Sequence, residues 1–396
     1  MPIPSPFHER TAPLNTSQRW KDWAGFYAAC AFGPSIDREY FAFRHTAGLI
    51  DVTPLYKYEV RGKDAAAMLS RMMVRNVAEL RVGRVGYTCW CDDAGRVIDD
   101  GTVARLEEDH FRVTAADPTY YWLAKLSRGY EVDLEDSTET LAALALQGPM
   151  SREILRRVCD ADLDTLKFFG ITRANLDGKR VFVSRTGYTG DLGYEVWVDA
   201  REALAVWDAI MAAGRTFGVE PTGLDALDVT RIEAGFIMLD VDYHGAHKVV
   251  QDPRKSSPYE IGLGWTIASQ RGPFVGKSAL AAEARDGSKW QLVGLELSWE
   301  QLESLYESHG LPPNLPTRAS REPIPVYADK KQVGRATSHT WSPILKKSIA
   351  LASVHAPYAK PGTKLEIEHT VEFERRRVPA VVTKTPFFDP ERKRKP

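Results

Sequence analysis

The hydrophobic pattern changes period along the chain, and each change marks an element. Residues 58–64 read as a strand running into a helix start, and residues 65–73, dominated by Ala, Leu and Met, predict the helix. Three β-patterned runs follow at 86–91, 96–106 and 110–115. Their separators, Asp92-Asp93-Ala94-Gly95 and Glu107-Glu108-Asp109, are turn-like, so a β-meander is expected. The β-branched run 179–185 and the run 194–198 predict two strands joined by a glycine-rich segment. Asp199, with Glu202 three residues on, predicts a capping box. Leu204, Trp207, Ile210 and Met211 share one face of the helix it opens, and Gly214 can end that helix. Residues 222–235 predict a further helix, and 261–267 a strand containing Trp265. Residues 306–325 hold five prolines among polar residues and read as a loop or linker. Strand patterns at 333–340, 347–354, 364–369 and 378–385 then predict a small antiparallel β domain.

Composition narrows the function classes. The 396 residues leave room for one large or two to three ordinary domains, and the 43% apolar content can fill their cores. A formal net charge of −1 argues against binding nucleic acid over a broad surface. The basic run 391–395 reads as a short solvated tail. The four cysteines form no C-x-x-C pair, and Cys89 and Cys91, flanking Trp90, are expected as packed free thiols on one strand face. No apolar run approaches the roughly 18 residues of a membrane span, and no secretory pattern opens the chain. A cytoplasmic protein acting on a small molecule is expected, with no nucleic-acid or membrane partner.

The segment Arg185 to Glu195 carries the densest chemistry. Gly187, Gly190 and Gly193 recur every third residue, with Tyr188, Tyr194, Asp191 and Glu195 among them. Glycine lets backbone approach a flat ligand, tyrosine stacks, and a glutamate accepts paired N–H groups, so the set suits a planar heterocycle. A hairpin with a glycine-rich bulge would use the same residues. No dinucleotide fingerprint is present, because a strand follows where that motif needs a helix.

The Asp99-Asp100 pair lies inside a run otherwise rich in Val and Ile, so its carboxylates point to opposite faces. If one face is buried, one carboxylate must be paired or protonated; a turn cap or exposed acidic pair is the alternative. Asp228, Arg231 and Glu233 read as a surface salt-bridge cluster. His244 and His247, near Asp240 and Asp242, lack the spacing of the helical zinc motif, so no metal site is expected. No G-x-S-x-G elbow occurs.

Several motifs run in a recognisable order: A-G-L-I-D-V at 47–52, G-R-V-I-D-D at 95–100, L-Q-G-P at 146–149, then the 185–195 segment. Then come G-L at 223–224 through R-I-E-A-G at 231–235, G-W-T-I at 264–267, F-V-G-K at 274–277, S-P at 342–343 and S-I-A-L-A at 348–352. Together they resemble the glycine cleavage T-protein (aminomethyltransferase) family and its tetrahydrofolate-dependent demethylase relatives. The resemblance implies an α+β fold, a three-domain ring around a central folate channel. Residues 1–285 would form two discontinuous α/β subdomains, split near 50–140 and 1–50/140–285, and 286–396 a C-terminal antiparallel β-barrel. It implies Asp99 as the catalytic carboxylate, and Tyr87, Asp99, Tyr188, Glu195, Arg231 and Trp265 as folate-binding residues.

The chain departs from the family pattern at Leu227, where an arginine is usual, at 23–29, and at 237–244 with the extended 248–259 segment. Those regions would face the one-carbon donor. The expected activity is therefore transfer of a methyl or methylene unit from a methylated small molecule to folate N5, with Tyr243, His244 and His247 on the substrate side. The alternatives are aminomethyl transfer from a lipoylated carrier protein, a non-catalytic folate-binding assembly factor, or a domain serving a flavin-bearing subunit.

Overall fold

The computed structural model describes residues 1–395. Three β units carry the architecture. One is a six-stranded sheet ordered Ile171–Leu176, Lys179–Ser184, Gly193–Asp199, Leu141–Gln147, Ala47–Asp51, Val219–Pro221, antiparallel except for its last pair. The chain leaves this sheet after Asp51 and returns at Leu141. Between those points it builds an antiparallel sheet ordered Arg84–Cys91, Val97–Glu107, His110–Ala115, Tyr56–Arg61, Asp133–Asp136. The expected meander is the first half of that sheet. Its inner face buries Trp90, Val103 and Val113 against Met68 and Leu69 of the helix Ala65–Met72. Burying each such side chain is worth roughly 1.5–3 kcal/mol, which sets the register of the meander.

The third unit is a closed antiparallel barrel, Trp290–Leu297, Lys347–His355, Lys331–Ser342, Ile324–Ala328, Lys364–Val371, Glu374–Thr383. Closure removes the exposed edges that its alternating strands would otherwise present. The proline-rich segment is not a linker between domains. It follows the helix Trp299–Glu307 and crosses from the first barrel strand to Ile324–Ala328. Pro325 is tolerated in a strand whose register shifts at the next pair, Val326/Tyr327.

The helix Leu224–Glu233 joins sheet and barrel. Asp228, Arg231 and Glu233 are buried, which corrects the surface reading. Glu233 accepts from Tyr40 Oη and Ser342 Oγ at 2.6 Å each and from the Arg44 guanidinium. Burying such a carboxylate is tolerable only because its lone pairs are filled.

Three local expectations also change. Residues 261–267 form no strand: Gly262 turns at φ +78° and a 3₁₀ turn, Gly264–Thr266, follows. Asp199 caps the 3₁₀ turn Ala200–Glu202 through Arg201 N at 2.9 Å, while Glu202 pairs with Lys179 at 2.7 Å instead of closing a capping box. The basic tail is docked, because Asp191 is a buried carboxylate: Arg392 grips it with Nε and Nη2 at 2.6 and 2.7 Å. Lys393 is buried behind it, 5.0 Å from the Phe236 ring centroid. Cys89 and Cys91 are free and buried. Among the described residues no helix is long and apolar enough to cross a membrane.

Candidate active site

The two adjacent aspartates are separated by the pleat. Asp99 lies opposite Trp90 on the core face and is fully buried. Its Oδ1 accepts from Asp100 N at 2.8 Å, and its Oδ2 from Ala116 N at 3.1 Å and Asp117 N at 3.0 Å. It therefore staples the end of the strand His110–Ala115 to its neighbour. Asp100 points the other way and is only partly buried. Its Oδ2 accepts from Tyr87 Oη at 2.5 Å and its Oδ1 from Tyr243 Oη. Burial pushes Asp100 above the usual carboxylate range, and the two tyrosine donors pull it partly back. Burial and the Asp100 charge together push Tyr87 and Tyr243 well above an ordinary phenol. A carboxylate has about four lone-pair sites, so each oxygen of Asp100 keeps acceptor capacity.

Tyr243 reaches Asp100 because its neighbour is pinned. Asp242 is buried, with Oδ2 accepting from Arg231 Nη1 at 2.5 Å and Met238 N at 2.9 Å. Its Oδ1 accepts from Thr337 Oγ1 at 2.5 Å and Ser338 Oγ at 2.7 Å on the barrel. Arg231 also donates to Asp228 Oδ1 at 2.7 Å, Phe236 O at 3.2 Å and Ser338 Oγ at 2.7 Å. Fully buried and committed on every side, it clamps helix, loop and barrel together. A folate-contacting role for Arg231 is not what its geometry provides.

The glycine-rich segment is shaped by the protein's own core. A Cβ on Gly187 would sit 1.9 Å from Gln147 Oε1, and one on Gly193 would sit 2.3 Å from Gln147 Cδ. Gln147 fills that space, donating to Thr186 O at 3.1 Å and accepting from Thr189 Oγ1 at 3.0 Å. We expect Gly187→Ala to destabilise by about 1–3 kcal/mol through overpacking, read as a lower urea midpoint. The segment still presents two groups. Tyr188 stacks on Phe236 at 5.5 Å and donates to Ile237 O. Glu195 uses Oε2 on Thr186 Oγ1 at 2.7 Å and leaves Oε1 without a protein partner. Burial pushes Glu195 up, with the Thr186 and Ser184 hydroxyls opposing.

Trp265 closes the row. It is 65% exposed, stacks on Tyr87 at 6.2 Å and 28°, and lies under the Arg75 guanidinium at 5.7 Å. An exposed indole over a tyrosine is a ready stacking face.

Residues 8–271 match the family model described as the GCVT N-terminal domain, and residues 310–389 match the glycine cleavage T-protein C-terminal barrel domain. The chain belongs to the glycine cleavage T-protein family.

Among curated relatives, the aminomethyltransferase of Caldanaerobacter subterraneus is 34% identical over 351 residues, 87% of each chain. The trimethylamine-oxide aldolase of Ruegeria pomeroyi is 33% identical over 402 residues, covering 98% of this chain and 47% of that protein. The chain thus spans about half of the aldolase's length. The solved structure of the glycine cleavage aminomethyltransferase from Bartonella henselae superposes with a TM-score of 0.83, covering 98% and 99% of the two chains at 22% identity. At that identity the likeness is one of fold.

Of the residues expected at the site, Tyr87 and Tyr243 converge on Asp100, Trp265 stacks beside them, and Tyr188 is held by the same loop that carries Tyr243. Asp99 and Arg231 face elsewhere. Glu195 stands on the strand after the glycine segment and shares no hydrogen bond with the Asp100 group. His244 and His247 lie on the outer side of the loop, 3.8 Å from Asp240 and 3.7 Å from Asp117. Burial and the Arg254 charge push His244 down. Sequence reasoning noted Asp242 beside the histidines and Gln147 in a motif but gave neither a role. The only sequence signal for Gln147 was its place in the L-Q-G-P motif.

Proposed function

We propose that the protein is a tetrahydrofolate-dependent one-carbon transferase, with Asp100 as the carboxylate at the reacting nitrogen. The carrying observation is the partly buried Asp100, held by two tyrosines on the sheet face opposite Trp90. The protein groups fit a reduced pteridine. Glu195 Oε1 is an unpaired acceptor for an aminopyrimidine edge, and Trp265 with Tyr87 offers a ring face. Bound tetrahydrofolate would supply the nucleophilic N5. Asp100 accepts or holds the proton that leaves N5, a role made easier by the burial that raises its pKa. Tyr87 and Tyr243 fix the orientation of that carboxylate and shield it from bulk water. Asp99 holds the strand from behind, so the catalytic expectation placed on it passes to its neighbour.

The donor in this reading is a methylated or aminomethylated small molecule, approaching from the 237–248 loop. Relatives named for aminomethyl transfer and for breakdown of a methylated amine oxide stand at nearly equal identity, 34% and 33%. Aminomethyl transfer from a carrier protein is therefore the second reading. Incubation with tetrahydrofolate and a panel of methylated amines, ethers and sulfonium compounds, followed by mass spectrometry of the folates, tests both. Product only on adding a lipoylated carrier would favour the second reading; no product with any donor would refute the first. We further expect Glu195→Ala to weaken tetrahydrofolate binding by about tenfold or more, roughly 1.4 kcal/mol, by titration calorimetry. Wild-type affinity in that variant would remove Glu195 from the site.

A further inference from the structure

The barrel closes with the strand Glu374–Thr383, so residues 384–395 are not needed for its closure. They run instead across the glycine-rich segment and the end of the helix Leu224–Glu233. Phe387 N and Phe388 N both donate to Glu233 O at 2.9 Å, which anchors the segment on that helix end. The Arg44 guanidinium lies 4.4 Å from the Phe388 ring centroid and donates to Thr189 O at 2.9 Å. Gly190, at φ +75°, brings its backbone so close that a Cβ there would sit 2.6 Å from Ala234 Cβ. Helix end, glycine-rich segment and C-terminal segment therefore pack without slack.

Two basic side chains complete the contact. Arg392 binds both oxygens of the buried Asp191, three residues after Tyr188, and a bidentate pair of this kind fixes orientation as well as distance. Arg185 Nη2 holds the backbone behind it, donating to the carbonyls of Arg392 and Lys393 at 3.3 Å each and to Lys395 O. Lys393 is turned inward. Long basic side chains ordinarily keep their charge in water, yet this one is buried with its ammonium 5.0 Å from the Phe236 ring centroid. Asp389 stands 3.7 Å from it.

Phe236 links that lysine to the site. Its ring stacks on Tyr188 at 5.5 Å and 25°, and it opens the loop that carries Tyr243. Burial pushes the Tyr188 phenol up, with Arg231 opposing and the Asp100 charge adding to the rise, so Tyr188 lies within electrostatic reach of Asp100. A chain of contacts thus runs from Lys393 through Phe236 and Tyr188 to the Asp100 group.

We propose that residues 384–395 form a strap that holds Tyr188 in its ligand-binding position, with Arg392 and Lys393 as positioning residues. Arg392 fixes the glycine-rich segment through Asp191, and Lys393 seats Phe236 against the tyrosine ring. The proposal rests on the folate reading above and takes Tyr188 as one wall of that site.

Hydrogen exchange, calorimetric titration with tetrahydrofolate and a double-mutant cycle test it on the full chain. Arg392→Gln is expected to speed amide exchange across residues 186–192 about tenfold and to weaken tetrahydrofolate binding about tenfold. Exchange in the meander and in the barrel strands should stay as in the wild type. Arg392→Lys, which keeps the charge but not the fork, is expected to recover part of both losses. Lys393→Met, which fills similar space without charge, is expected to weaken binding about threefold in the wild-type background and to have no effect on a Tyr188→Ala background. Unchanged exchange at 186–192 in Arg392→Gln, or protection lost throughout the chain, overturns the strap, as does an equal loss from Lys393→Met with and without Tyr188. Absence of tetrahydrofolate binding by the wild type overturns the folate reading instead, and the exchange pattern of Arg392→Gln then decides the strap by itself.

Discussion

Asp100→Asn should lower turnover by about 10²–10⁴-fold while leaving tetrahydrofolate affinity within about tenfold. The amide keeps the volume and can still meet one tyrosine hydroxyl, but it cannot take a proton. Asp99→Asn should behave differently. Three backbone N–H groups converge on Asp99, and an amide nitrogen facing any of them leaves a buried donor unpaired. We expect a stability loss of about 1–3 kcal/mol and near-normal turnover per folded molecule. Single-turnover folate product formation, normalised to the folded fraction, separates the two. Unimpaired turnover in the Asp100 variant would remove that residue from the mechanism.

Arg231→Met should destabilise the protein by about 3–5 kcal/mol, because Asp242 would stay buried with its cation removed. Asp228 keeps Arg321 at 2.7 Å, so Asp242 carries most of the loss. A lower urea midpoint is the direct readout. Turnover should also fall, since Asp242 positions Tyr243 against Asp100, whereas folate affinity of the folded fraction should change less than tenfold. A variant of normal stability that fails to bind folate would return Arg231 to the ligand-contacting role its motif suggests.

Much of the fold was legible because local pattern and burial agreed. The meander at 86–115 alternates with its core face, and the C-terminal strands do the same around the barrel. Where reading failed, a long-range partner had reversed a local preference. The 391–395 run looked like a solvated tail until Asp191, 201 residues before Arg392, supplied its counter-charge. The glycines at 187 and 193 looked like room for a ligand, yet the Gln147 side chain occupies that room.

The sequence by itself determined the family and the α+β organisation, and it singled out the short stretch that carries the proposed reacting carboxylate. It also established that the two aspartates point apart, since strand geometry requires it. Only the tertiary structure decided which of them faces the Trp90 cluster and which meets the two tyrosines. That choice depends on which face meets the helix Ala65–Met72 and on where a loop some 143 residues later delivers Tyr243. A strand's pleat is a local property, whereas the environment on each side of it comes from segments remote in the chain.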